Sequence, residues 1–404
     1  MTNHPEEPVA SHTATFTILI PFLGAIAALG PLSNDLYVPS LSLVAAGLGA
    51  SGASAQLTMS SLLIGFSAGC LIYGPLSDRY GRKPILCFGL ALYVIAGVLA
   101  ALSGSLAELV LARALQGFSA SSTMVLSRAI ILDRWSGEQA SRAISWVSIF
   151  TFFTPVVAPV IGGYVAAFDH WPAVFWLQAG AGALCLAVTF AMLPRVHKVH
   201  AASVLASMRA YGTILTDRQA LGYMLCTGLA FIGVVAFVSN SSFVLIERFG
   251  LEPHQYGYCF SFVMLGGSIG AYTNGRYVTR LGISRMLGIG TALLATGGTL
   301  AVLTAGTDAG LIPLLISCLV YVFGVGFVFA NAVARTMSRF PASAGAASAV
   351  FGVNQFLIGG IVAGALSLVR EPSPLPLAAT MAFAGLACAA VWWGWLARGA
   401  PVKA

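Results

Sequence analysis

Gly74-Pro75-Leu76-Ser77-Asp78-Arg79-Tyr80-Gly81-Arg82-Lys83-Pro84 joins two long apolar runs, 54–76 and 85–104. Its glycines allow a tight reversal between helices, and Asp78, Arg79 and Arg82 are placed to pair with one another or with helix ends. Outward from this loop the chain repeats one pattern. Runs of about 20 mostly apolar residues, the length that crosses a bilayer as a helix, are separated by short basic connections. Further runs lie at 16–40, 107–129, 144–166, 173–193, 220–244, 256–275, 286–305, 310–334, 344–368 and 376–396, giving twelve. Only helices and closed barrels span membranes, and long runs without alternation exclude a barrel. The fold class is therefore an all-α membrane protein.

Composition agrees. Of 404 residues, 58% are hydrophobic and 8% charged, where a soluble domain carries roughly a quarter charged residues. So few charges cannot cover a soluble surface of this size. The net charge of +7 forms no basic face, so nucleic acid is excluded as a partner. Seventeen of the 20 Lys and Arg fall on one side of the alternating spans, which by the positive-inside rule puts both termini in the cytoplasm. The seven cysteines lie singly in apolar runs and the six histidines in tails and loops, so no metal site is expected. The polar start carries Glu6 and Glu7 and lacks the basic flank of a signal peptide.

The longest internal polar stretch, Pro194 to Arg218, divides the spans six and six. The expected organisation is a cytoplasmic tail 1–15, a first six-helix half 16–193, a cytoplasmic central loop 194–219, a second half 220–396 and a tail 397–404. A faint repeat supports two halves: Gly275-Arg276-Tyr277-Val278-Thr279-Arg280-Leu281-Gly282 echoes the loop after span two at an offset of 201 residues, and Ile358-Gly359-Gly360 echoes Ile161-Gly162-Gly163. Parallel repeats with a site between them are a transporter architecture.

Two charges remain inside the apolar runs. Asp35 stands in Gly30-Pro31-Leu32-Ser33-Asn34-Asp35-Leu36-Tyr37-Val38-Pro39. An acid at depth costs about 2.5–3.5 kcal/mol on insertion scales, so it faces a polar cavity and works there. A carboxyl that gains and loses a proton there couples proton flow to substrate binding. Arg113, in Leu111-Ala112-Arg113-Ala114-Leu115-Gln116-Gly117, is placed to tune a nearby carboxyl. Span five carries Thr154-Pro155-Val156-Val157-Ala158-Pro159-Val160-Ile161-Gly162-Gly163, whose prolines kink a helix and whose glycines permit close approach.

Together these stretches resemble the major facilitator superfamily. The loop after span two matches its motif A at Gly74, Asp78, Arg79, Gly81 and Arg82. Arg113, Gln116 and Gly117 match motif B. Pro159, Gly162 and Gly163 match the antiporter motif C, with Ala158 and Thr154 replacing two of its glycines. Pro31 to Leu41, Ala158 to Tyr164 with Trp171, and Gly345 to Ala349 are similar to the Bcr/CflA group of drug exporters. The resemblance implies twelve helices in two pseudo-symmetric halves, rocker-switch alternating access and exchange of cytoplasmic drug for external protons. It also implies that Asp35 carries the proton with Arg113 tuning it, that motif A stabilises the outward-facing state with Asp78 near the start of span eleven, and that motif C controls the seal between halves.

The function expected is proton-coupled efflux of small amphipathic drugs across the bacterial cytoplasmic membrane, with protons as coupling ion, no cofactor, the lipid bilayer and a small-molecule substrate as partners, and a monomer as working unit. Asn34, Tyr37, Gln116, Phe237, Asn240, Tyr258, Asn331, Asn354 and Gln355 are candidate cavity residues, chosen as polar or aromatic residues in spans. The rivals are a dedicated exporter of one metabolite or metallophore and a proton-coupled nutrient importer. A membrane enzyme would need a paired acid and base, a metal cluster or an activated nucleophile in the spans, and a nucleotide-driven pump a phosphate loop; the sequence shows neither.

Overall fold

The computed structural model describes residues 9–135, 137–167, 171–193, 211–307, 309–340, 344–368 and 373–397. Twelve long helices run through the described residues. They are α1 (Val9–Asp35), α2 (Leu57–Tyr80), α3 (Arg82–Ala101), α4 (Leu106–Arg134), α5 (Gly137–Ala166), α6 (Pro172–Met192), α7 (Arg218–Ser242), α8 (Pro253–Leu281), α9 (Ile283–Gly306), α10 (Leu311–Arg339), α11 (Ala344–Leu366) and α12 (Pro374–Val391). α7 and α12 end in π-helical turns, Phe243–Arg248 and Trp392–Leu396.

Eleven spans are long and apolar enough to cross a membrane; α8 matches the rest in length but not in hydropathy. Ser261, Thr273, Asn274 and Arg276 make it more polar. Two sequence expectations shift. α1 reaches back to Val9, into the expected tail. Residues 211–216 of the expected central loop are helical. The rest of that loop to 210, the first eight residues and the last seven lie outside the described residues.

α1 does not run unbroken. It stops at Asp35, a 3-10 turn covers Val38–Ser40, and Leu41–Gly47 restarts the helix. The cause is local. In a continuous helix the amide of residue 39 would donate to the carbonyl of residue 35, and Pro39 has no amide hydrogen.

Within the first half α2 packs on α4, α3 on α4 and α6, and α1 on α5; within the second, α9 packs on α10 and α12, and α8 on α10. The halves meet along two seams, α2 against α11 and α5 against α8. The internal repeat is visible in the caps. Gly81 links α2 to α3 at φ 94°, ψ 153°, and Gly282 links α8 to α9 at φ 80°, ψ 152°. Each donates its amide back four residues, to Ser77 and Val278. Positive φ of that kind favours glycine.

α2 and α4 are backbone-close, and a side chain at Gly117 would run into the Leu62 carbonyl, whereas Gly74 has open space around it. Gly117→Ala is expected to destabilise by about 1–3 kcal/mol, the usual cost of overpacking, and Gly74→Ala by less than about 0.5 kcal/mol. Thermal unfolding of the detergent-purified protein reads both, and equal midpoints would refute the close packing.

Candidate functional site

The break in α1 creates the site. A helix end leaves carbonyls without partners, and here that end is buried in the bundle. The Ser33 carbonyl accepts from Arg113 Nη1 at 2.8 Å and from Gln178 Nε2 at 3.3 Å. Gln116 ties the two donors together: its Oε1 accepts from Arg113 at 2.7 Å and its Nε2 donates to Gln178 at 2.8 Å. The Arg113 guanidinium lies over the Tyr37 ring at 4.5 Å and the Phe175 ring at 5.7 Å. The rings stand in for water on the face where Nε and Nη2 have no hydrogen-bond partner. The Tyr37 hydroxyl bonds Thr58, and Ser33 Oγ bonds Tyr93 and donates to the Leu29 carbonyl. Arg113 is thus a C-terminal cap placed inside the membrane bundle.

Asp35 ends that capped turn and is 6% exposed. Its carboxylate accepts from Asn34 Nδ2 at 3.0 Å. Asp35 and Arg113 form no ion pair; the guanidinium donates to the Ser33 carbonyl, two residues back. Asp35 instead lies within electrostatic reach of Tyr256, on α8 of the other half, whose hydroxyl shares a 2.9 Å hydrogen bond with Ser241.

Motif C packs against the same break. A side chain at Gly162 would strike the Leu36 carbonyl, and one at Gly163 would strike the Pro253 carbonyl across the seam. Pro159 offers its carbonyl to the bare face of Gly257 on α8. Ser261 of α8 donates to the Val156 carbonyl at 2.5 Å. Ala158, in place of glycine, is buried without strain.

The seam is closed at the end of the bundle opposite the Arg-rich one. There Gln56 donates to Asn240 at 3.1 Å, and the Tyr164 and Tyr258 hydroxyls meet at 2.6 Å. At the basic end the ion pairs among the described residues each stay within one half. Asp78 pairs with Arg82, and Arg82 reaches Asp133 of α4 at 2.8 Å. Arg79 stacks on Tyr80 and makes no ion pair with Asp78. Ser60 bonds the Gly360 carbonyl and Ser67 the Val353 carbonyl, an antiparallel register that brings the Asp78 end of α2 beside the Ala344 end of α11. In the second half Asp217 caps α7 and binds Arg339 at 2.6 Å.

The candidate cavity residues separate into groups. Asn34, Tyr37 and Gln116 belong to the capped break. Phe237 packs at a tilt on Phe260, and Asn240 and Tyr258 hydrogen-bond across the seam. Asn331 is buried inside the second half against Asn274. Asn354 donates to the Met224 carbonyl, and Gln355 is half-buried. Gln178, Tyr256, Asp133 and Arg128 were not anticipated. Gln178 was detectable as the one amide in its apolar run. Arg128 lies inside the α4 span, Leu106–Ile131.

The profile of the Major Facilitator Superfamily matches residues 23–364. The chain belongs to the major facilitator superfamily. Its members are transporters, not enzymes. A bicyclomycin resistance protein homolog of Haemophilus influenzae is 32% identical over 90% of this chain and 92% of its own length, which bears out the Bcr/CflA resemblance. Multidrug resistance protein D of Escherichia coli is 27% identical, covering 93% of this chain and 94% of its own. Among solved major facilitator structures, the partially occluded inward-open xylose transporter XylE of E. coli superposes with a TM-score of 0.76 at 16% identity, covering 95% and 98% of the two chains. The nucleoside transporter NupG gives 0.73 at 15%, covering 95% and 99%.

Two outcomes are expected. Arg113→Ala is expected to destabilise by about 1.5–3 kcal/mol, the weight of a charged hydrogen bond. The loss should persist in an Asp35→Asn background, with a coupling below about 0.5 kcal/mol; a larger coupling in a double-mutant thermal-unfolding cycle would mean that the two residues act as a pair. At the basic end, the hydrogen bond from Arg339 holds the Asp217 carboxyl below its ordinary value of 3.8. A lowered folded-state value adds stability above that range, lost as pH falls through the folded value. Asp217→Asn should therefore lower the unfolding midpoint at neutral pH slightly, and the difference should vanish in strong acid.

Proposed function

We propose that this chain is a proton-coupled exporter of small amphipathic drugs in the bacterial cytoplasmic membrane, with both termini cytoplasmic, working by alternating access as a monomer. The observation that carries the reading is Asp35: an acid at membrane depth, held at a helix break on the seam between two halves that must part for transport. The relatives named for bicyclomycin and multidrug resistance support the drug class.

With the basic end cytoplasmic, the end held shut by Gln56–Asn240 and Tyr164–Tyr258 is the outer one. Closing the seam takes the Asp35 carboxyl out of water with one amide to bond it, and neutralising the acid removes the cost of burying its charge. Protonation from outside would thus favour closure after drug release. Loss of the proton inward would favour drug binding and reopening. Only such a difference in affinity between states drives the swing. Motif C, wedged between the break and α8, would transmit the change, and the Asp78–Arg82–Asp133 cluster would bias which end is open.

The test is drug susceptibility and accumulation in a pump-deficient bacterium expressing the chain, at matched membrane levels. Wild type is expected to lower accumulation of several compounds, with the effect abolished by Asp35→Asn and by a protonophore. Accumulation raised by wild type would point to import, and an effect confined to one metabolite to a dedicated exporter.

A further inference from the structure

Asp35 is buried, and among the described residues its hydrogen-bond donor is Asn34 Nδ2. The other donors of the first half near the break are committed. Thr58 donates to the Ala55 carbonyl at 2.6 Å, so the Tyr37 hydroxyl gives its proton to Thr58. Ser33 donates to the Leu29 carbonyl, so the Tyr93 hydroxyl gives its proton to Ser33. Arg113 serves the Ser33 carbonyl and Gln116, against the Tyr37 and Phe175 rings. An ionised carboxylate accepts at several positions, and burying one with few donors is costly. A further donor is available across the seam.

Tyr256 stands there. The Leu36 carbonyl occupies the bare face of Gly162 and the Pro253 carbonyl that of Gly163, so the backbone just after Asp35 and the start of α8 press on adjacent residues of α5. Gln255 caps that start by accepting from the Glu252 amide at 3.1 Å. The Tyr256 ring packs on Phe260, and Phe260 on Phe237. The phenol is thus fixed at the seam, fully buried and within electrostatic reach of Asp35. Its hydroxyl and that of Ser241 are 2.9 Å apart, and either oxygen can donate. Ser241 has a second acceptor in the Val238 carbonyl, at a long 3.5 Å. The pair therefore has two proton arrangements. When Ser241 donates to Tyr256, the phenol proton is free for an ionised Asp35. When Tyr256 donates to Ser241 and Ser241 to Val238, the phenol oxygen can accept from a protonated Asp35.

A hydrogen bond to a charged group is stronger than one between neutral groups. The first arrangement therefore favours loss of the proton while the outer end is shut. We propose, on the footing that Asp35 is the proton-carrying acid, that Tyr256 is the positioning residue by which the second half releases that proton inward. Its hydroxyl turns to the ionised carboxylate, directly or through one water, as Ser241 turns to donate to it. Without that donor the buried acid keeps its proton, and the cycle stalls with the outer end closed. Around the break the titratable or charged groups are Arg113, Tyr37 and Tyr93 from the first half and Tyr256 and Cys259 from α8. α5 brings Pro159 to Gly163 and α7 brings Ser241, none of which titrates.

The experiment is a pH titration of the full chain in liposomes, followed by infrared difference spectroscopy of the protonated carboxyl band. The Asp35 band is the one absent from Asp35→Asn. Tyr256→Phe keeps the ring and removes only the hydroxyl. It is expected to move the midpoint of that band to higher pH by about one unit, a tenfold gain in proton affinity. Ser241→Ala leaves the phenol proton available and should hold the midpoint within about 0.3 unit of wild type. Equal midpoints in Tyr256→Phe and wild type would overturn the proposal and leave the exporter reading intact. The same upward shift in Ser241→Ala would also overturn it, because loosening of the seam would then account for both. The expected shift without drug efflux in cells would keep this proposal and remove the exporter reading. An Asp35 band that never titrates would remove both.

Discussion

The hydrogen bond from Arg113 to the Ser33 carbonyl is the contact on which the first half is organised. A helix interrupted inside a bilayer exposes polar backbone where no water can reach it, at several kcal/mol for each unsatisfied group. Arg113, Gln116 and Gln178 close that gap from two other helices, and Tyr37 and Phe175 cover the guanidinium. With the break so held, Asp35 points at the partner half instead of continuing along a helix face. Motif B is thus a clamp on the break in α1.

The two ends of the bundle are built differently, and that difference suits a protein that alternates. At one end the halves meet through neutral groups, amides and phenols, which part without stranding a charge. At the other end the charges among the described residues pair inside each half. Neutral hydrogen bonds cross the seam, and ion pairs stay within each half.

Most of the fold was legible in the sequence because hydropathy and charge act over whole helices, and twenty apolar residues outvote any single exception. Asp35 and Arg113 could be picked out for the same reason. What the sequence concealed were relations between helices. The break after Asp35 was written in Pro39, but an apolar run masks the loss of one backbone donor. The partner of Arg113 was a carbonyl, and carbonyls have no letter. Arg128 lies near the end of its run, where span and loop look alike in sequence. Asn240 and Tyr258 were found as polar residues in spans, yet sequence could not separate the lining of a cavity from the bolts of a seal.

α8 is the least apolar of the twelve helices, and its polar residues are in use: Ser261 bonds the kinked α5 and Asn274 bonds Asn331. Those partners exist only in the assembled bundle. During synthesis α5 is already in place when α8 emerges, while α10 is not. Hydropathy alone holds α8 in the bilayer weakly, so its retention depends on docking to the first half. The seam between the halves is therefore also a step in assembly, where α8 is held in the membrane by the first half.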